Sequence, residues 1–270
     1  MFCELEKLRV YYETAGAGRP LLMLHGYGVD HHIMKGCMEP VFGKEAGWER
    51  IYLDLPGMGR TSSADWLRNS DQLLQVVLDF IQAVLPGREF AVAGESYGGY
   101  LARGLVQRLP ERIAGLLLIC PCIIAERARR DLPKFRVLES DPQLMAGLGE
   151  AERAEFAELA VVQSEVTLER FRAEVVPGIR AADEAFLTRL QRDGFPFSCD
   201  VDRLAQPFDK PALILAGRQD PWVGYRDAWR ILENFPRASF AVLDKAGHNL
   251  QIEQAEVFEL MVREWLARMR

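Results

Sequence analysis

Apolar positions along this chain fall into two kinds of pattern. Continuous runs recur in the first half: LLML at 21–24, FAVA at 90–93 and LLLI at 116–119. Strands covered by helices on both faces read this way, whereas half-exposed strands alternate. The runs predict strands over residues 8–13, 20–24, 50–53, 89–93 and 115–120, and again over 212–216 and 239–243. Between them the period becomes helical. Over 71–85, Leu74, Val77, Leu78, Ile81 and Val84 or Leu85 share one face, with Ser70 as the expected N-cap. Further helices are predicted over 97–109, ending before Pro110, over 225–234 and over 254–269. Alternating strands and helices predict an α/β fold, doubly wound around a mostly parallel sheet.

The middle departs from this alternation. From 122 to 206 the pattern predicts no strand. GEAERAEFAELAVVQSEV and TLERFRAEVV are charged and helical, and Phe156, Leu159, Ala160 and Gln163 make only a modest apolar face. We read 1–121 and 207–270 as the core and 122–206 as a helical cap inserted over the sheet edge. Surface helices without a function would have the same composition.

Composition narrows the partners. The 270 residues are 49% hydrophobic and 27% charged, the balance of a globular domain around one core. A net charge of -6 offers no basic face, so nucleic acid is not an expected partner. MFCELEKLRVYYE has no basic leader ahead of a long apolar run, so no signal peptide is expected. No apolar stretch reaches the roughly 18 residues a membrane span needs, and no membrane partner is expected. The five cysteines are odd in number and scattered, which predicts reduced thiols and a cytoplasmic location. Cys120-Pro-Cys122 is the only close pair; no second pair completes a zinc site, and two small buried residues at a strand end explain it. No metal or cofactor is expected, and the pattern assigns no oligomeric state.

Candidate chemistry centres on Gly94-Glu95-Ser96-Tyr97-Gly98, a G-x-S-x-G motif that follows FAVA and opens a helical pattern. A tight strand-to-helix turn there projects the serine hydroxyl above the sheet, and the flanking glycines admit close backbone. The helix N-terminus favours negative charge at the site. A hydroxyl needs a base to become a nucleophile. Of four histidines, His248 lies just past the 239–243 strand, on the carboxyl edge where Ser96 should sit. His25, directly after LLML, competes with it; His31 and His32 are expected to be solvated or to belong to a lid. The base needs a carboxylate to fix its tautomer. Asp220 follows the 212–216 strand, although an Asp-Pro turn would look the same, and Glu126 is its rival. His25-Gly26-Tyr27-Gly28 can offer the Tyr27 N–H beside that of Tyr97 as an oxyanion hole. Glu95 is expected to give hydrogen-bonding support at most.

These stretches together resemble the α/β-hydrolase superfamily. LLMLHGYG resembles its oxyanion strand and loop, YLDLPGMGRTS its D-x-P-G-x-G-x-S stretch, VAGESYGG its nucleophile elbow, LAGRQDPWV its acid loop and AGHNLQIEQ its histidine loop. The likeness runs from residue 8 to 270 apart from the helical block, which falls where the family inserts its cap. It implies Ser96 as nucleophile, Asp220 as acid, His248 as base, and the backbone of Tyr27 and Tyr97 as oxyanion donors, with no cofactor. Haloalkane dehalogenases and related epoxide hydrolases place an aspartate at the position of Ser96, which disfavours those chemistries. Carbon–carbon bond hydrolases of dienoate ring-fission products are similar in size and layout, but usually carry tryptophan where this chain has Asn249. Proline iminopeptidases typically have G-G-S-W-G in place of GESYG. The expected activity is hydrolysis of a small-molecule carboxylic ester through an acyl-enzyme. Carbon–carbon, lactone or aminopeptidase chemistry on the same triad, and a non-enzymatic ligand receptor, are the alternatives. Ile123, Phe135, Met145 and Trp222 are the candidate substrate-lining residues.

Overall fold

The structure is a computed structural model that describes residues 1–43 and 45–269. The described residues form ten strands in chain order. They are β1 (Phe2–Glu4), β2 (Arg9–Gly16), β3 (Arg19–Leu24), β4 (Trp48–Leu53), β5 (Phe90–Glu95), β6 (Ile113–Ile119), β7 (Glu139–Ser140), β8 (Val162–Gln163), β9 (Ala212–Gly217) and β10 (Ala238–Leu243). Eight of them form one sheet in the order β1-β2-β4-β3-β5-β6-β9-β10. β2 runs antiparallel to β1 and β4, and every pairing from β4 to β10 is parallel. The continuous apolar runs occupy the centre: β5 and β9 are buried along their whole length. The edge strand β10 is half-buried throughout.

Helices α1 (His31–Phe42), α2 (Ser70–Val84) and α3 (Tyr97–Arg108) belong to the first half. Helices α4 (Pro142–Gly147), α5 (Glu150–Leu159), α6 (Glu165–Glu174), α7 (Val176–Ala181) and α8 (Glu184–Asp193) lie between β6 and β9. Helices α9 (Tyr225–Arg230), α10 (Leu250–Glu253) and α11 (Ala255–Ala267) complete the chain. Among the described residues, no helix is long and apolar enough to cross a membrane.

Four expectations change. His31 and His32 open a helix rather than a polar loop, capped by the Asp30 side chain, which accepts from the His32 N–H at 3.0 Å. Pro40 inside α1 hides its period, because proline ordinarily ends a helix. The cap of α2 is Asn69, not Ser70; Ser70 is buried, and its hydroxyl pairs with the Tyr97 hydroxyl at 2.7 Å and donates to the Phe195 carbonyl at 2.6 Å. The helix expected over 225–234 breaks after Arg230 into a short 3-10 turn. The middle block holds a two-residue parallel pair, β7 with β8, too short to leave a period in the sequence.

Candidate active site

The turn between β5 and α3 positions Ser96. Its φ of 51° and ψ of -112° are a conformation that non-glycine residues rarely hold. The fold enforces it: the Ser96 N–H donates to the Ile119 carbonyl at 2.9 Å, and the Ser96 carbonyl accepts from Cys122 at 3.0 Å. The flanking glycines answer a packing demand. A Cβ on Gly94 would stand 2.4 Å from the Gly98 carbonyl oxygen, and one on Gly98 2.1 Å from that of Leu24. Ser96 occupies the N-cap position of α3, yet its side chain makes no capping bond. Its hydroxyl instead meets His248 Nε2 at 2.9 Å.

His248 follows β10 and Asp220 follows β9, so parallel pairing brings both loops to the edge that carries Ser96. His248 Nδ1 lies 2.8 Å from Asp220 Oδ2. Asp220 Oδ1 accepts from the N–H groups of Trp222 and Val223 at 2.8 and 3.0 Å, so its hydrogen bonds leave Nδ1 as the donor. Burial alone would lower the His248 imidazole, but the Asp220 and Glu95 carboxylates outweigh it and lift it to about 9.

Two neighbours fix the histidine loop. Gln219 donates to Asp244 at 2.8 Å and accepts from the Ala246 N–H at 3.1 Å. Glu253 accepts from the Gly247 N–H at 2.6 Å, and from Val161 and Val162 at 2.5 and 3.1 Å. Burial raises the Glu253 carboxyl to about 7 against the pull of those amides.

Glu95 turns toward the site. Its Oε1 lies 3.4 Å from His248 Nε2, and burial raises its carboxyl to about 7 although the imidazole opposes this. Tyr27 and Tyr97 line the same cavity as Ser96. Tyr97 is the first residue of α3, so its N–H has no acceptor within the helix. The Tyr27 hydroxyl donates to the Leu187 carbonyl, fixing the loop after β3 against α8.

The competing residues stand elsewhere. His25 Nε2 accepts from the Leu55 N–H at 2.9 Å and Nδ1 donates to the Gly26 carbonyl at 2.8 Å, so both nitrogens are committed. Glu126 pairs with Arg129 at 3.5 Å on the surface. His31 is buried, with Nδ1 at 2.8 Å from Asp54, and is not a lid residue. Among the described residues, two clusters bring enough donors together for a metal, Asp30–His31–His32 and Cys120–Asp220–His248. Their donors already serve hydrogen bonds: Asp30 with His32, His31 with Asp54, Cys120 with the Gly247 carbonyl and Asp220 with His248. Cys120 and Cys122 are both buried.

A cavity of about 470 Å³ opens beside Ser96. Of the four candidate lining residues, only Trp222 belongs to it. Ile123 and Met145 pack against the core, and Phe135 is half-buried away from the cavity. Val29, Ile33, Val175, Ile179 and Phe195 form the apolar wall instead, and Arg127 stands at the cavity with its guanidinium 4.6 Å from the Trp222 ring centre. The apolar residues Val175 and Ile179, four positions apart, are the trace this wall leaves in the sequence, one that core packing would leave equally.

The sequence model of the alpha/beta hydrolase fold family matches residues 19–255. A 2-hydroxy-6-oxononadienedioate/2-hydroxy-6-oxononatrienedioate hydrolase of Burkholderia vietnamiensis is 29% identical over 270 residues, covering 97% of this chain and 92% of the relative. A pimeloyl-[acyl-carrier protein] methyl ester esterase of Aeromonas salmonicida is also 29% identical, over 95% and 98% of the two chains. The crystal structure of an alpha/beta superfamily hydrolase from Oenococcus oeni PSU-1 superposes with a TM-score of 0.89 at 26% identity, covering 96% of each chain.

Proposed function

Because the chain belongs to the alpha/beta hydrolase fold family, we propose that it is a serine hydrolase that cleaves a small-molecule carboxylic ester through an acyl-enzyme. One observation carries the reading: His248 bridges Ser96 and Asp220 at 2.9 and 2.8 Å beside a largely apolar cavity. Ser96 Oγ attacks the ester carbon as its proton passes to His248 Nε2. Asp220 holds the imidazole in register and stabilises its positive charge. The N–H groups of Tyr27 and Tyr97 receive the oxyanion. The tetrahedral adduct collapses, the leaving alkoxide takes the proton from Nε2, and the acyl group remains on Ser96. Water then repeats the sequence, giving up a proton to His248 and releasing the acid with Ser96 restored. The apolar wall suits an acyl chain or ring rather than a polar one. The esterase relative supports an ester bond.

A second reading, carbon–carbon cleavage of a dienoate ring-fission product, draws on the dienedioate hydrolase relative. Asn249, where such hydrolases usually carry tryptophan, weighs against it. A fluorophosphonate probe tests the common chemistry. Wild type should be labelled, and Ser96→Ala should lose labelling and at least about a thousandfold in kcat. An unlabelled wild type, or equal labelling of the variant, sinks the proposal. A panel of short and long acyl esters, lactones, peptides and dienoates then ranks the bond types by kcat/KM.

A further inference from the structure

Glu95 is a buried acid in the site that the Ser96–His248–Asp220 relay does not use. Only 2% of its side chain is exposed, and neither carboxylate oxygen meets hydrogen-bond geometry with a partner among the described residues. A carboxylate in such a place is costly unless a positive charge compensates it. Three features show where it points. Oε1 is 3.4 Å from His248 Nε2, the nitrogen that faces Ser96. A Cβ on Gly26 would lie 2.1 Å from Oε2, so the oxyanion loop runs hard against the carboxyl. Glu95 also belongs to the lining of the cavity. His248 is therefore bracketed by two carboxylates, with Asp220 on Nδ1 and Glu95 on the Nε2 side.

We infer that Glu95 is a second carboxylate partner of His248, placed on the nitrogen that moves the proton, and that it sets the pH above which this base is free to accept the Ser96 proton. The inference rests on the reading of His248 as the base. The imidazole and the Glu95 carboxyl can share one proton. With that proton on Nε2 the base is blocked. With it on a Glu95 oxygen, or lost to solvent, Nε2 is open to the Ser96 proton while Oγ bonds to the carbonyl carbon. A charged Glu95 favours the blocked form, because opposite charge stabilises imidazolium.

The other groups around the pair leave Glu95 as the variable one. Asp220, from the loop after β9, is committed to Nδ1 and two amides. The loop after β3 presents only the Gly26 peptide. The thiols of Cys37 on α1 and Cys120 after β6 feel the Glu95 charge, and burial holds both well above the usual thiol range, hence neutral. Arg130, which opposes protonation of His248, is held away by the carbonyls of Ile124, Ala125 and Trp222 and by Cys122 Sγ.

The test is an NMR titration of the His248 imidazole in wild type and Glu95→Gln, with its signal identified by loss in His248→Ala. It runs alongside the pH profile of the fluorophosphonate labelling rate. Glu95→Gln should titrate about one to three units lower, and the acid limb of its labelling profile should move down with it. Glu95→Asp, which keeps the charge but draws it back from Nε2, should shift less in the same direction and stands in if Glu95→Gln does not fold. An imidazole that titrates at the same pH in wild type and variant overturns the inference. If wild type is unlabelled at every pH, the hydrolase reading fails, and the imidazole titration still decides the role of Glu95.

Discussion

Asp220 shows how much of the proposed chemistry hangs on one side chain. Its two oxygens face three donors, two backbone amides and His248 Nδ1. Asp220→Asn keeps the shape but turns one acceptor into an NH2 group. That group favours the imidazole tautomer with its proton on Nε2, where it cannot take the Ser96 proton. Turnover should fall by about 10⁴-fold in kcat while the thermal midpoint moves little; an activity within tenfold of wild type would remove Asp220 from the relay. At this scale Ser96, His248 and Asp220 were legible in the sequence, because each lies just past a strand-like run and parallel strands share a carboxyl edge. Ile123, Phe135 and Met145 were not legible as non-lining residues. Their apolar character is the same in a core as in a cavity wall, and only packing separates the two. The approach of Glu95 Oε1 to within 3.4 Å of His248 Nε2 was not legible for a related reason: the direction in which a residue leaves a strained elbow is not written in its type.

Helices and loops carry the next level of precision. Glu253 on α10 ties three peptide N–H groups from two distant segments, the Gly247 amide of the histidine loop and the Val161 and Val162 amides at β8. Replacing it with glutamine turns one acceptor oxygen into a donor, so at least one of those amides loses its partner. An unpaired buried N–H costs about 1–3 kcal/mol. At pH 5, where the buried carboxyl is uncharged and the substitution removes no charge, Glu253→Gln should lose stability on that order in urea unfolding. Its labelling rate should also fall, because the loop that holds His248 loosens. A variant as stable and as fast as wild type would show the staple to be incidental. Element prediction succeeded where burial left a continuous apolar run, as in β3, β5, β6 and β9, or a strong helical period, as in α2. It failed at α1, where Pro40 breaks the pattern although Ile33, Met34, Cys37, Met38 and Val41 form a buried face. It also missed β1, a three-residue strand with one buried position.

Across the whole molecule, the helical segment and the sheet meet at a buried cation. Arg103 on α3 donates to the carbonyls of Cys122 and Ile123 where the segment leaves the sheet, and pairs with Asp202 at 2.7 Å where it returns. Folding encloses several titrating groups that unfolding exposes, and the sum of their shifts sets the response to pH. Burial raises the Glu95 and Glu253 carboxyls from an ordinary 4.5 to about 7. The unfolded chain ionises these groups first, so each costs stability as pH climbs from about 4.5 through about 7. His248 moves the other way in charge but the same way in stability. Its imidazole is raised from 6.5 to about 9, so the stabilisation from its bound proton is complete below 6.5 and lost as pH rises through 9. Carboxylates held below their ordinary range, such as Glu13 at about 2 beside Lys35, supply stability that disappears only in stronger acid. The thermal midpoint should therefore peak near pH 5 and fall by roughly 5 °C or more by pH 9, with Glu253 alone worth on the order of 3 kcal/mol of that change. Calorimetry from pH 4 to 9 measures the slope directly, and Glu253→Gln should flatten the part between 5 and 7. A midpoint that stays level or rises over that range would mean that these buried acids titrate as if exposed.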